Sequence, residues 1–121
     1  MPSTRLATLR AAVWAARSVR RVRRDLTRYG VHAQVPPPPS LPDAAGRGVV
    51  IVLRRSSPTC IEQALVMQRW LLSHGQPHDV VIGVARHSDT VMAHAWVDGG
   101  GETSGETYTE LHRLPPPPGI E

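Results

Sequence analysis

Four consecutive prolines, Pro36 to Pro39, stand inside the segment Val35-Pro-Pro-Pro-Pro-Ser-Leu-Pro-Asp43. Proline has no amide hydrogen to donate and a fixed φ, so the run favours an extended polyproline II strut over a helix interior or a central strand. The chain must fold on either side of that strut. A second run, Pro115 to Pro118, closes the sequence and begins a frayed tail. The expected divisions are therefore a helical segment over 1–34, a stiff spacer over 35–43, a core over 44–114 and a tail over 115–121. At 121 residues the total amounts to one modest domain.

Ahead of the strut, residues 5–29 read as a helix. Leu9, Val13, Ala16, Val19, Val22, Leu26 and Tyr29 recur at spacings of three and four, and Gly30 stops the helix as a C-cap. Arginines fill the other positions. All 14 basic residues are Arg, and the net charge is +4 with an isoelectric point near 10.5. Such a face is either simply solvated or docks an acidic partner. Nucleic acid is not expected, because the basic residues concentrate in one terminal helix without interleaved stacking aromatics or a reader motif. No membrane span is expected, since no stretch approaches the roughly 18 apolar residues required. A single cysteine forms no intramolecular disulfide, and no secretory signal is visible, so the expected compartment is the cytoplasm.

Beyond the strut, Val49 to Leu53 is a short apolar run read as a strand on its β-branched content, with a helix reaching Arg55 as the alternative. Ser57-Pro58-Thr59-Cys60-Ile61-Glu62 is a helix start: Thr59 and Glu62 have capping-box spacing, with Ser57 before Pro58 as a second possible cap. Either cap puts Cys60 in the first turn, and Gly75 ends the helix. Val80 to Ala85 reads as a central strand, Thr90 to Val97 as the next, and Glu106 to Leu111 as the third. Helices followed by an antiparallel meander define an α+β fold.

The residues that carry chemistry are Cys60 and His94. A thiol is a weak nucleophile until a helix N-terminus or a nearby imidazolium favours its thiolate. Cys60 has the first by position, although an inert, buried thiol is the commoner fate of a lone cysteine. In Met92-Ala93-His94-Ala95-Trp96-Val97-Asp98, period two sets Met92, His94, Trp96 and Asp98 on one face. Val91, Ala93, Ala95 and Val97 lie on the other, against the core. An imidazole beside an indole on that face can line a cleft above the helix start. No metal or other cofactor is expected: His74 and His78 are four apart, but Gly75 and Pro77 break any helix that would align them. His32, His87 and His112 read as surface or loop residues.

Cys60-Ile61-Glu62-Gln63-Ala64-Leu65 with Gln68 and Gly75, then Val80 to Val84, then Ala93-His94-Ala95-Trp96-Val97, resembles the stand-alone leader peptidase of lasso peptide biosynthesis, a transglutaminase-like cysteine peptidase. The Arg-rich helix, the Pro-rich spacer and Glu110-Leu111-His112-Arg113-Leu114-Pro115 also fit. The resemblance implies a papain/transglutaminase-like fold with the catalytic Cys at a helix N-terminus packed on a small antiparallel sheet. It puts the catalytic pair on Cys60 and His94. It further implies removal of the leader from a ribosomally made precursor peptide, with a separate leader-recognition protein as partner. An ATP-dependent lasso cyclase, a further candidate partner, then closes the macrolactam.

The group that orients His94 stays open at this stage. The chain has no Asn, so an acid or a carbonyl must serve. Glu106, Tyr108 and Glu110 share a face of the third strand. A long Gly-rich hairpin sets Glu110 nearest His94, and a tight turn sets Glu106 there instead. The family usually has Asp at this place. Asp98 has the right face but lies about 13 Å along the strand at 3.3 Å per residue. Glu110 is preferred, with Glu106 second. The competing function is a basic helical binding module, for an acidic peptide or nucleic acid, in which Cys60 is incidental. Acyl transfer between peptides on the same site ranks last.

Overall fold

Alanine, not leucine, sets the buried face of the first helix. The computed structural model describes residues 2–29, 34–99 and 108–117. Within it, α1 (Pro2–Tyr29) buries Ala7, Ala11, Trp14, Ala15, Ser18, Val19 and Val22. Leu9 and Val13, expected on the inner face, are 60% and 44% exposed. The reason lies in α2 (Gly46–Arg55). A Cβ built on Gly48 would come within 2.2 Å of the Thr8 carbonyl oxygen and 3.0 Å of the Ala12 nitrogen. The two helices thus touch backbone to backbone, and only small side chains fit the seam. Gly30 lies outside the described residues.

Val49 to Leu53 is part of α2, not a strand. Val49 and Leu53 are buried while Val50 and Ile51 are exposed, the four-residue recurrence of a helix laid on a neighbour. Packing against α1 overrides the β-branched preference. The Pro-rich segment likewise differs from a free spacer. The Trp14 indole N–H donates to the Pro36 carbonyl at 3.0 Å, and His74 Nε2 lies 3.0 Å from the Leu41 carbonyl oxygen. Val35 and Leu41 pack on a core that α1 shares with Val49, Leu53, Val66 and Trp70. The segment is a strap across one body, and α1 belongs to that body. A single 3₁₀ turn, Asp43–Ala45, leads from it into α2.

Helix α3 (Cys60–Leu72) begins as its sequence requires. The Thr59 side chain accepts from the Glu62 N–H at 3.3 Å, and the Glu62 carboxylate accepts from the Thr59 N–H at 2.9 Å. The turn after Leu72 closes at Gly75, whose φ of +76° favours glycine; the Gly75 N–H bonds the Leu72 carbonyl at 3.1 Å.

Strands β1 (Val80–His87), β2 (Thr90–Val97) and β3 (Thr109–Leu114) form one antiparallel sheet in the order β2-β1-β3. The reading of Val80 to Ala85 as a central strand holds, but the expected meander order is corrected, since β1 rather than the second strand lies in the middle. Val80 and Val81 point to opposite faces and both are buried, the condition of an interior strand. Strand β3 also starts three residues later than expected, because Leu114 pairs with Val80 and packs on the core just before Pro115. Val80, Ile82, Ala95, Val97 and Leu114 face Ile61, Ala64 and Leu65 of α3 and Val22 of α1. Val91 and Ala93, expected in the core, are exposed, because the β1–β2 hairpin runs on past the helices. Buried Gln68 ties α3 to one end of the sheet, where β1 starts and β3 stops, by donating to the carbonyls of His78 (2.9 Å) and Leu114 (3.0 Å).

Candidate active site

Cys60 is the first residue of α3 and its side chain is exposed. Thr59 takes up the Glu62 N–H, and the Gln63 N–H bonds the Thr59 carbonyl at 2.9 Å. The N–H groups of Cys60 and Ile61 therefore have no hydrogen-bond partner among the described residues. They present two free donors and the positive end of the helix dipole beside the thiol. The turn is held from below. Glu62, 4% exposed, receives Arg23 Nε at 3.1 Å and Nη2 at 3.0 Å as well as the Thr59 N–H. Burial pushes its pKa up, but the Arg23 hydrogen bonds and the Thr59 amide outweigh burial and leave it below the usual carboxylate range.

His94 lies on β2 opposite Gly83 of the central strand. Its ring stacks on Trp96 (centroids 5.7 Å apart, planes 19° apart) and meets Tyr108 at 5.4 Å; Trp96 and Tyr108 are 5.7 Å apart. The three rings occupy the sheet face turned from Ala95 and Val97. Gly83 makes room for them: a Cβ there would sit 3.0 Å from Trp96 Cη2 and from the Thr109 carbonyl oxygen. Strand β2 lies at the edge of the sheet, and α3 packs chiefly on it. Cys60, Gln63 and Met67 from α3 and His94, Ala95 and Val97 from β2 line a common cavity of about 70 Å³.

The expected acids fare differently. Glu110 shares the sheet face of His94 but stands across β1, two strand spacings or roughly 10 Å away. Trp96 covers the intervening Gly83, and the Glu110 carboxylate is bound to Arg113 Nε at 2.7 Å. The structure thus does not bring Glu110 to His94, since the adjacent β2–β3 pairing behind that expectation is not formed. Asp98 is also taken by Arg113, at 2.8 Å. Glu106 lies outside the described residues.

Sequence reasoning missed Arg113, which joins Asp79 (3.1 Å), Asp98 and Glu110 and so binds all three strands at one end. Those carboxylates hold its guanidinium charged well above the ordinary range. The signal was faint, because a bulge causes it. Ile82 pairs with His112 and Gly83 with Glu110, which skips Leu111 and turns Glu110 and Arg113 to the same face. Gln63, which the resemblance includes without assigning it a role, borders the thiol cavity. His74 lies with Nδ1 2.9 Å from the Trp70 carbonyl oxygen and Nε2 near that of Leu41, so it anchors the strap. Among the described residues no group of three His, Cys, Asp or Glu is placed to hold a metal ion. Among the described residues no helix is long and apolar enough to cross a membrane.

A thiol on a capped helix start, set against a histidine on the neighbouring strand of a small antiparallel sheet, defines an α+β thiol-site domain. The chain belongs to the transglutaminase-like superfamily, whose family profile matches residues 5–116 and so takes in nearly all of α1, the strap and the whole sheet. The superfamily generally includes cysteine peptidases and transferases. No curated protein and no solved structure matches the chain.

Proposed function

We propose that the protein is a cysteine peptidase that removes the leader from a ribosomally made lasso precursor peptide, acting with a separate leader-recognition protein. The observation that carries this reading is the cavity shared by Cys60 and His94, at the free N-terminus of α3, in a chain of this superfamily. The Cys60 thiolate attacks the scissile carbonyl, with the Cys60 N–H and the Gln63 carboxamide as donors to the oxyanion. The Gln63 carboxamide borders the same cavity and makes no other hydrogen bond among the described residues. Collapse expels the amine of the core peptide, which His94 protonates, and leaves the leader as a thioester on Cys60. Water deprotonated by His94 then hydrolyses the thioester, returning the thiol and releasing the leader as a carboxylate. A hydrogen bond between thiol and imidazole is proposed to form as substrate binds, as is common for such pairs. Glu106 is proposed to orient His94, because Glu110 and Asp98 are held by Arg113. The outer face of α1, with Leu6, Leu9 and Val13 exposed beside Arg10 and Arg17, is proposed to dock the recognition protein, and the cyclase follows in the same sequence of steps.

The test is leader release from a candidate lasso precursor with its recognition protein, followed by mass spectrometry. Cys60→Ala is expected to abolish release. Undiminished cleavage by that variant overturns the reading.

A further inference from the structure

The thiol cavity is not isolated. A larger cleft of about 290 Å³ lies between α2, α3 and the end of β2, and Gln63, Met67 and Val97 border both. Its volume is at the lower end of the range for clefts that take small ligands. Val50 and Leu53 form one wall, Met67 and Leu71 the other, and Arg54 stands at the side. Arg54 is exposed and makes no ion pair among the described residues. An apolar trough with a single unneutralised cation, continuous with a thiol, has the chemistry to read two things in an extended peptide. One is an aliphatic side chain, for which Met67 is an adaptable floor. The other is a carboxylate beside it.

We infer that this cleft is a specificity subsite that takes an aliphatic side chain of the substrate peptide, with an adjacent acidic residue paired to Arg54. The identity of the occupant rests on the peptidase reading above; occupancy itself does not require turnover. Val50 is 42% exposed, which lets one wall be altered without emptying the core.

The chain has three methionines, so a spectrum of ¹³C-methyl-labelled protein reports on Met67 directly. Titration with N-acetyl-Gly-Leu-Glu-Gly-amide is expected to shift the Met67 methyl, with Met92 on the sheet unmoved. Replacing Leu by Gly in the peptide is expected to weaken binding by at least roughly tenfold, the discrimination an apolar pocket gives. Val50→Asp is expected to remove that preference. Arg54→Glu is expected to reverse the choice between Glu and Lys at the following position, in a protein of unchanged melting temperature. Equal affinity for the Leu and Gly peptides, or an unmoved Met67, overturns the subsite. These outcomes do not depend on Cys60. A subsite that reads Leu in a protein whose Cys60→Ala variant still cleaves precursor would sink the peptidase reading alone.

Discussion

At the scale of single residues the site is divided between what chemistry demands and what register allows. A catalytic imidazole needs a partner on its second nitrogen, and a mis-set tautomer costs orders of magnitude in rate. Glu110 has the right charge and face, but Arg113 holds it at 2.7 Å on an exposed strand, with Trp96 over the gap to His94. Glu110→Gln is therefore expected to change leader-release kcat by less than about threefold, since exposed ion pairs contribute little. Glu106→Gln is expected to lower it by about 10³-fold or more, as loss of an orienting acid does. Steady-state rates of the two variants decide the matter, and equal losses would return Glu110 to the site. The positions of Cys60 at a helix start and of His94 on a strand were legible because a capping box and a period-two strand are local patterns. The bulge that commits Glu110 to Arg113 is not local, because skipping Leu111 depends on how β3 meets β1.

At the scale of elements, α3 is fixed at the end that bears the thiol by a carboxylate buried under its first turn. Glu62 accepts from Thr59 within the cap and from Arg23 on α1, so the cap and the α1–α3 contact are one network. Its pKa in the folded protein lies below the ordinary carboxylate value. A depressed acid contributes its stability fully above the unfolded-state pKa and loses it as pH falls through the folded value. Thermal melts are therefore expected to hold near neutral pH and to fall as pH drops below the usual carboxylate range. Arg23→Ala should lower the melting temperature by a few degrees at neutral pH and flatten that acid slope. An identical slope in the variant would show that the Arg23–Glu62 link does not set it. The cap was readable as Thr59-x-x-Glu62; the Arg23 partner, 39 residues away, was not. Helix α2 shows the same limit, because Val49 to Leu53 reads as strand by composition and is helical only because Gly48 lets α1 come close.

For the whole molecule, the sequence divides at its prolines and the fold does not. Trp14, His74, Val35 and Leu41 bind the Pro-rich strap into a core that joins α1 to α2 and α3, so removing α1 would unfold the domain. Docking on α1 must be tested on its outer face. Leu6, Leu9 and Val13, at spacings of three and four, are 58%, 60% and 44% exposed, and Arg10 and Arg17 flank them. An apolar stripe rimmed by cations fits a partner with an apolar groove and acidic edges. Leu9→Asp with Val13→Asp introduces two carboxylates without touching the buried seam of Ala7, Ala11 and Ala15. The double variant is expected to keep its melting temperature, bind the recognition protein at least roughly tenfold more weakly, and lose partner-stimulated leader release in proportion. Calorimetric titration measures the binding and mass spectrometry the leader release. Wild-type affinity in a folded double variant would place the docking surface elsewhere. Loss of stimulation at unchanged affinity would mean that the stripe transmits the partner's effect to the site, through the backbone contact of Gly48 with Thr8 and the Arg23–Glu62 pair under the thiol helix.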